Sequence, residues 1–314
     1  NLRYTRDANS GSIELERYFE KLYNKSCSLS FSSGMSAIAA SLISVINSDT
    51  KIVTFGNFYR KSRSIIEHLQ KKFKVKNVNF LDYKKFIEWS KKNQKNIVFF
   101  LEIPSNPFMK IIDIEDIRNR FKSSIIITDL SFVGINNDKR IYELSDILIF
   151  SLTKYINGHN DTLGGQLVIK NKKIFLNIWD YRSTFGGIID PFAAYLTIRS
   201  LKTYSLRFSK MISNTKKVLE YLSSCSEVKN IWYPGEYNNK HQYKRFKKYF
   251  ISGGAVISFE TKKFNIIKNI NKLKCFKMAP SFGSLESLIE WPYFMSYYGQ
   301  PKKILTKLNI SKNL

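Results

Sequence analysis

The chain has 314 residues, of which 43% are hydrophobic and 24% charged, and these globular values argue against a disordered or membrane-spanning protein. Its 51 basic and 25 acidic residues give a net charge of +26, but the lysines are scattered rather than gathered in an arginine-rich arm. We therefore expect no nucleic-acid partner, and no membrane partner either, because no apolar run of about 18 residues occurs.

The cysteines and the start of the chain suggest a compartment. Cys27, Cys225 and Cys275 lie far apart, without the spacing of a disulfide framework or a zinc site. We expect reduced thiols, no metal and, in the absence of a secretion signal, a cytoplasmic location. The chain begins with Asn1 rather than Met, so we expect its front end to be missing or processed.

The first predicted elements are two helices around a short strand. Apolar residues at helical spacing predict a helix from about Ile13 to Tyr23. From Ser28 to Asn47 the pattern predicts a strand, a Ser-Ser-Gly turn and a small-residue helix, Met35 to Ile46. A turn that leads into a helix N-terminus can bind an anion.

Short apolar runs then alternate with amphipathic stretches. The predicted strands are Ile52 to Thr54, Ile97 to Glu102, Ile125 to Asp129 and Asp146 to Phe150, with helices near Ser62 to Phe73 and Ile114 to Phe121. Strands that are apolar throughout and separated by helices predict an α/β fold with a mostly parallel sheet between helices. Ligands of such sheets bind at the carboxyl ends of the strands. This rule predicts one crevice for four sites that follow strands: Tyr59, Asn106, Asp129 and Ser151 to Lys154.

The remaining pattern predicts a second, smaller region. A helical zone from Pro191 to Ser223, with room for a break, precedes a turn at Tyr233 to Gly235. Beyond it we expect a strand from Ala255 to Glu260, a helix around Ile266 to Leu273 and a loop from Pro280 to Ser284. These elements predict a small C-terminal α+β domain.

The most informative segment is SLTKYINGHNDTLGGQLV, Ser151 to Val168. It places the hydroxyls of Ser151 and Thr153 beside Lys154. Hydroxyls can bind phosphate oxygens, and a deprotonated lysine amine can attack an aldehyde to form an imine. A Ser-x-Thr-Lys string alone is weak, because surface lysines are often flanked by hydroxyls.

The rest of the segment makes the motif specific. It also contains Gly158, His159, Asp161 and the pair Gly164 and Gly165. With them it resembles the cofactor-lysine signature of the Cys/Met metabolism family of pyridoxal 5'-phosphate (PLP) enzymes, the cystathionine synthase and lyase group. The resemblance runs in the same order from Tyr4 to about Leu308.

The resemblance implies an architecture and an activity. It implies an arm over residues 1–20 that reaches a neighbouring subunit, a PLP-binding domain with a seven-stranded sheet over 21–215, and a small domain over 216–314 that ends early. The unit would be a homodimer or homotetramer with shared active sites. The activity would be elimination or replacement at Cβ or Cγ of an amino acid such as cystathionine or an O-acylhomoserine.

Three residues inherit catalytic roles from the resemblance. Lys154 would hold PLP as a Schiff base, and Asp129 would pair with the pyridine nitrogen, although Leu130 and Ser131 replace the family's Asn and Thr. A carboxylate keeps that nitrogen protonated, so the ring can accept electrons. Tyr59 would stack on the ring and assist proton transfer. In isolation, Asp129 could simply cap a turn and Tyr59 could be a core aromatic.

Other residues inherit binding roles. Ser151, Thr153 and the amides of Gly34 and Met35 would bind the phosphate, and Asn106 would approach the cofactor's phenolic oxygen and the substrate. Tyr4 and Arg6 would reach the phosphate that is bound in the neighbouring subunit.

The substrate end departs from the family pattern. Ser281 matches a serine next to the substrate carboxylate, but Lys307 stands where the family has an arginine. Lysine lacks the planar fork of arginine. Two alternatives therefore stay open: a divergent member that acts on a modified or conjugated amino acid, and a non-catalytic basic binding protein that retains the fold.

Overall fold

The computed structural model describes residues 4–24, 26–135, 137–138, 140–235, 240–262, 269–270 and 272–314. Within them, seven strands form one central sheet in the order β1-β7-β6-β5-β4-β2-β3. The strands are β1 (Cys27–Phe31), β2 (Lys51–Phe55), β3 (Lys76–Phe80), β4 (Ile97–Glu102), β5 (Ile125–Asp129), β6 (Ile147–Ser151) and β7 (Gly165–Ile169). Only β7 runs antiparallel to its neighbours, β1 and β6. The predicted mostly parallel sheet is confirmed.

Helices cover both faces of this sheet. They are α1 (Ser10–Leu22), α2 (Gly34–Ile43), α3 (Arg60–Phe73), α4 (Tyr83–Ser90), α5 (Ile114–Arg120), α6 (Ile141–Leu144), α7 (Lys172–Phe185), α8 (Pro191–Leu201) and α9 (Tyr204–Ser224). Many begin at a side-chain N-cap, as with Ser33 before α2 and Asp190 before α8. The predicted helical zone from Pro191 to Ser223 is interrupted between Leu201 and Tyr204.

Strand β4 shows why the central strands are apolar throughout. Val98 and Phe100 belong to a hydrophobic cluster on one side of the sheet, and Phe99 and Leu101 belong to a second cluster on the other. Because successive side chains point to opposite faces, a strand between two helical layers needs apolar residues at every position. Burying each such side chain contributes about 1.5–3 kcal/mol, and this packing fixes the strand ends that carry the polar residues of the site.

The C-terminal part contains two small sheets. Strands β8 (Val228–Trp232) and β9 (Ser258–Thr261) pair antiparallel, and β10 (Phe276–Met278) and β11 (Ser287–Ile289) pair parallel. Its described helices are α10 (Lys240–Tyr249) and α11 (Lys302–Lys307). Half of the helix expected at Ile266 to Leu273 lies outside the described residues.

The predicted domain boundaries stay a prediction. Helix α1 packs on β1 and α8, with Leu15 and Phe19 buried in the core. Over the described ranges, no helix combines the length and apolar character needed to cross a bilayer.

Candidate active site

Three strand ends bring polar residues to one edge of the sheet. Glu102 and Asp129 are the last residues of β4 and β5 and lie opposite each other in the strand register. Ser151 is the last residue of β6, and Lys154 follows in a short π-helical turn, Leu152–Ile156. This edge is the carboxyl end of the parallel strands, where ligands of such sheets bind.

Lys154 lies between this edge and the C-terminal part of the chain. Its Nζ donates a hydrogen bond of 2.7 Å to Ser281 Oγ and lies 4.9 Å from the ring centroid of Phe282. Burial lowers the pKa of Lys154, and the charge of Glu290 opposes this shift. This shift makes the neutral amine, the form that can attack an aldehyde, more available than in an exposed lysine.

The loop that carries Ser281 is pressed against the lysine turn. Ser281 has a φ of 118° and Gly283 a φ of +85°. A Cβ on Gly283 would lie 2.7 Å from the backbone nitrogen of Tyr155, so only glycine permits this approach. The positive φ of Ser281 is unfavourable for a residue with a Cβ. In this conformation the Ser281 hydroxyl accepts the hydrogen bond from Lys154 Nζ.

Asp129 is a buried acid with few partners. Its Oδ1 accepts a 2.9 Å hydrogen bond from the Ser131 amide, and only 5% of the residue is exposed. Burial raises the pKa of Asp129, and no described lysine or arginine contributes to lowering it. A buried carboxyl without a cationic partner favours either protonation or a bound positive group.

Glu102 connects two loops of the site. Its Oε2 accepts a 3.0 Å hydrogen bond from the Tyr59 amide, and its Oε1 accepts one of 2.8 Å from the Asn106 amide. Burial, and next the charge of Asp129, raise the pKa of Glu102 to about 8. Glu102 was not predicted as a site residue. The sequence feature that could have indicated it is an acid at the end of an otherwise apolar strand.

The N-terminus of α2 lies beside the end of β6. An added Cβ on Gly34 would lie 3.4 Å from Ser151 Oγ. The Ser33 side chain caps the amide of Ser36, which leaves the amides of Gly34 and Met35 in the first helical turn for an anion. Thr153 Oγ1 accepts a 3.1 Å hydrogen bond from the Gly164 amide. The hydroxyl of Ser151 and these two amides form a cradle suited to a phosphate.

A cavity of about 460 Å³ opens next to these loops. Two of the predicted site residues, Tyr59 and Asn106, contribute to its wall, and burial raises the pKa of Tyr59. Its described lining residues are Tyr59, Arg60, Lys61, Asn106, Pro280, Met295, Ser296 and Tyr297.

Most predicted site residues, including Lys154 and Asp129, are not among the lining residues of this cavity, and three of them lie at the protomer surface. Tyr4 and Arg6 are exposed and contact each other, with the guanidinium carbon 4.9 Å from the Tyr4 ring centroid. Lys307 is exposed at the end of α11. Within one protomer the structure therefore groups Lys154 with Ser281, and Tyr59 with Asn106, but leaves these three residues apart.

The donor set fits PLP. A buried acid without a cationic partner suits a protonated pyridine nitrogen, and the cradle at α2 suits the phosphate. A lysine with a lowered pKa suits imine formation with the aldehyde. A half-buried lysine beyond one strand, a buried acid at the end of the neighbouring strand and a helix N-terminus at the same edge are typical of the class of α/β enzymes that hold PLP.

The chain belongs to the Cys/Met metabolism PLP-dependent enzyme family, whose profile matches residues 1–314. It is 31% identical over 320 residues to cystathionine gamma-synthase 1, chloroplastic, of Arabidopsis thaliana, across 100% of this chain and 56% of the relative. It is 33% identical over 306 residues to L-methionine gamma-lyase of Fusobacterium nucleatum subsp. polymorphum, across 94% of this chain and 76% of the relative. The family prediction is confirmed.

Solved structures share the fold. Cystathionine gamma-lyase from Lactobacillus plantarum, complexed with L-serine, superposes with a TM-score of 0.91 at 27% identity, over 99% of this chain and 82% of that one. The predicted α/β architecture is therefore confirmed. The chain spans little more than half of the length of its Arabidopsis relative, 56%.

Proposed function

We propose that the protein is a PLP-dependent C–S lyase or transferase that eliminates or replaces a group at Cβ or Cγ of an amino acid such as cystathionine or an O-acylhomoserine. The observation that carries the proposal is Lys154, a half-buried amine with a lowered pKa beyond β6 that donates a hydrogen bond to Ser281, at the sheet edge that also holds the buried acid Asp129. The names of the Arabidopsis and Fusobacterium relatives support the substrate class.

Each residue has a defined task in this proposal. Bound PLP supplies an aldehyde that captures amines and a ring that accepts electrons. Asp129 keeps the ring nitrogen protonated, while the Gly34 and Met35 amides hold the phosphate. Lys154 Nζ removes the α-proton of the substrate and returns it, which requires the neutral amine that burial favours.

Other side chains orient the reacting groups. Tyr59 would stack on the ring of bound PLP, and Asn106 would approach its phenolic oxygen. Ser151 and Thr153 would add hydroxyls to the phosphate site. Ser281 accepts the 2.7 Å hydrogen bond from the lysine amine, and we assign it to the side of the substrate carboxylate.

The test compares Lys154→Ala with Lys170→Ala. Lys170 follows β7, and its Nζ donates to the Glu143 carbonyl, so it is a lysine remote from the proposed chemistry. We expect Lys154→Ala to lose both the visible imine absorbance and turnover of cystathionine or O-acylated homoserines, and Lys170→Ala to keep both. Retention of the band and of turnover by Lys154→Ala would contradict the proposal.

We also propose that the active unit is a homodimer or homotetramer, with Tyr4 and Arg6 reaching the phosphate of a neighbouring subunit. Both residues are exposed in the protomer, and an arginine fork suits a phosphate dianion. Helices α7 and α8 expose large apolar side chains, a pattern typical of interaction surfaces. They are Leu176, Trp179, Phe185, Phe192 and Tyr195.

The cytoplasmic location also stays a proposal.

A second candidate is a family member that acts on a modified or conjugated amino acid. The exposed Lys307 is not a lining residue of the cavity, and the cavity wall instead carries Arg60 and Lys61. Cations at that place favour a substrate with an anionic group beyond the reacting carbon. A panel of cystathionine, O-acylated homoserines and larger anionic conjugates would discriminate between the two candidates through their kcat/KM values.

A further inference from the structure

One carboxyl group accepts hydrogen bonds from the backbone of two of the segments that line the cavity. Tyr59 follows β2 and Asn106 follows β4, and the two amides donate to opposite oxygens of Glu102, at 3.0 and 2.8 Å. Glu102 itself ends a β-strand and is only 5% exposed, so its carbon framework is fixed by packing. The two loops therefore share one anchor.

We propose that Glu102 is a positioning residue that sets Tyr59 and Asn106 relative to each other and thereby shapes the substrate side of the cofactor. This inference rests on the proposed function, because it assigns Tyr59 to the ring and Asn106 to the phenolic oxygen. Glu102 acts through these two residues rather than on the substrate. Its effect is on geometry at the reacting atoms, where small displacements have large consequences for rate.

A carboxyl group suits this task better than an amide. Both oxygens of Glu102 can accept an amide hydrogen bond, whereas glutamine offers one oxygen and one NH₂ group that is a donor only. In a Glu102→Gln variant the NH₂ group would face one of the two backbone amides. That amide would lose its acceptor in a buried place, which is unfavourable and promotes movement of its loop.

The surroundings of Glu102 are specific to the site. Burial is the main cause that raises the pKa of Glu102, and the charge of Asp129 is the second. The charge of Arg63 lowers this pKa. Tyr297 lines the cavity, and its pKa rises to about 12 through burial, with the charges of Glu102 and Glu290 as smaller contributions. Glu102 thus contributes to the electrostatics of a cavity residue, Tyr297.

The matched control is Asp146, which has a similar task at the opposite edge of the sheet. Its Oδ2 accepts a 2.8 Å hydrogen bond from the Ile126 amide and one of 2.6 Å from Arg118 Nη2. Asp146→Asn replaces a carboxylate by an amide in the same way, but far from the strand ends that carry the site. It measures the general cost of losing such an anchor.

The experiment measures kcat, KM and the circular dichroism of the cofactor band for Glu102→Gln, Glu102→Asp and Asp146→Asn as PLP-loaded protein. We expect Glu102→Gln to lose kcat by about 10- to 100-fold, with a changed cofactor signal. Glu102→Asp keeps two acceptor oxygens but withdraws them by one methylene, so we expect a smaller loss. Asp146→Asn should lose stability alone, with kcat/KM within about twofold of the unsubstituted protein.

The outcomes separate this inference from the proposed function. If the unsubstituted protein forms no imine band, the proposed function fails. If it is active and both Glu102 variants keep its kcat and cofactor signal, only the role of Glu102 is refuted. Should Glu102→Gln fail to fold, Glu102→Asp decides: reduced kcat with a changed cofactor signal supports the inference, and unchanged values overturn it.

Discussion

At the scale of single residues, the two acids at the sheet edge are buried alike but differ in their partners. Asp129 accepts a hydrogen bond from the nearby Ser131 amide, whereas Glu102 accepts two amides from separate loops. Asp129 is thus the acid that still needs a positive partner. Both oxygens of Glu102 already accept hydrogen bonds from backbone amides.

Asp129→Asn tests this division. Asparagine keeps the size of the side chain but cannot stabilise a protonated ring nitrogen by charge. We expect the variant to bind PLP and to keep the imine band while kcat falls by about 10²-fold or more. Stopped-flow absorbance with a substrate would show the slowed proton transfer, and an unchanged kcat would refute the assignment of Asp129.

The raised pKa of Glu102 predicts a pH dependence of stability in the cofactor-free protein. Its pKa is 4.5 in an unperturbed group and about 8 here, so the folded state binds the proton more tightly. The resulting stabilisation is fully present below the unfolded pKa and is lost as pH rises through the folded pKa, by a few kcal/mol at most.

Urea unfolding at about pH 5 and about pH 9 would measure this loss. We expect a smaller fall in unfolding free energy for Glu102→Gln than for the unsubstituted protein, because the amide does not titrate. Equal falls in both proteins would mean that other groups cause the pH dependence.

Single residues were predictable where a motif surrounded them. Lys154 was identified because Ser151, Thr153 and the glycines after it form an extended signature. Glu102 was not, because its proposed function depends on hydrogen bonds from backbone amides, one of them in a loop 43 residues away in sequence. Backbone hydrogen bonds between distant segments are not visible in a sequence.

At the scale of elements, the close approach of β7 to the N-terminus of α2 determines the phosphate cradle. A Cβ on Gly165 would lie 2.4 Å from the carbonyl oxygen of Ser33, whereas one on Gly34 would lie 3.4 Å from Ser151 Oγ. A Cβ on Gly165 would therefore push the two backbone segments apart, whereas a Cβ on Gly34 would make a contact close to the ordinary van der Waals distance.

Gly165→Ala should therefore destabilise the protein by about 1–3 kcal/mol, and Gly34→Ala by clearly less. The measurement is the free energy of urea unfolding of both cofactor-free variants. Equal losses in the two variants would show that the contact between β7 and α2 does not limit the packing.

Elements were predictable where their pattern had one interpretation. Strands β4 and β5 have the predicted bounds because both are apolar throughout. Strand β3 was missed because it is an edge strand, KNVNF, with three polar residues that disrupt the apolar run. Helix α7 was missed because aromatic residues also lie on its exposed face. Helix α10 was missed because it is rich in lysine, so neither helix has a clear periodic pattern of apolar residues.

At the scale of the whole molecule, the exposed apolar surface of α7 and α8 bears on assembly. Phe192 is 67% exposed on α8, next to Tyr195. Tyr221 is equally exposed, at 67%, but lies near the end of α9, outside that surface. If subunits meet through α7 and α8, a charge at Phe192 would be buried without a partner.

We expect Phe192→Glu to shift the protein towards the monomer in analytical ultracentrifugation, and Tyr221→Glu to leave the assembly unchanged. Because Tyr4 and Arg6 are proposed to act across subunits, PLP affinity should fall with the loss of assembly. A monomeric unsubstituted protein with full PLP affinity would refute the shared site.

The most direct test of the account is chemical. Purified protein loaded with PLP and reduced with borohydride is digested, and the modified peptide is identified by mass spectrometry. We predict one pyridoxyl adduct, on the peptide that contains Lys154, and its absence after Lys154→Ala. An adduct at another lysine, or no adduct on a PLP-loaded protein that turns over substrate, would contradict the account.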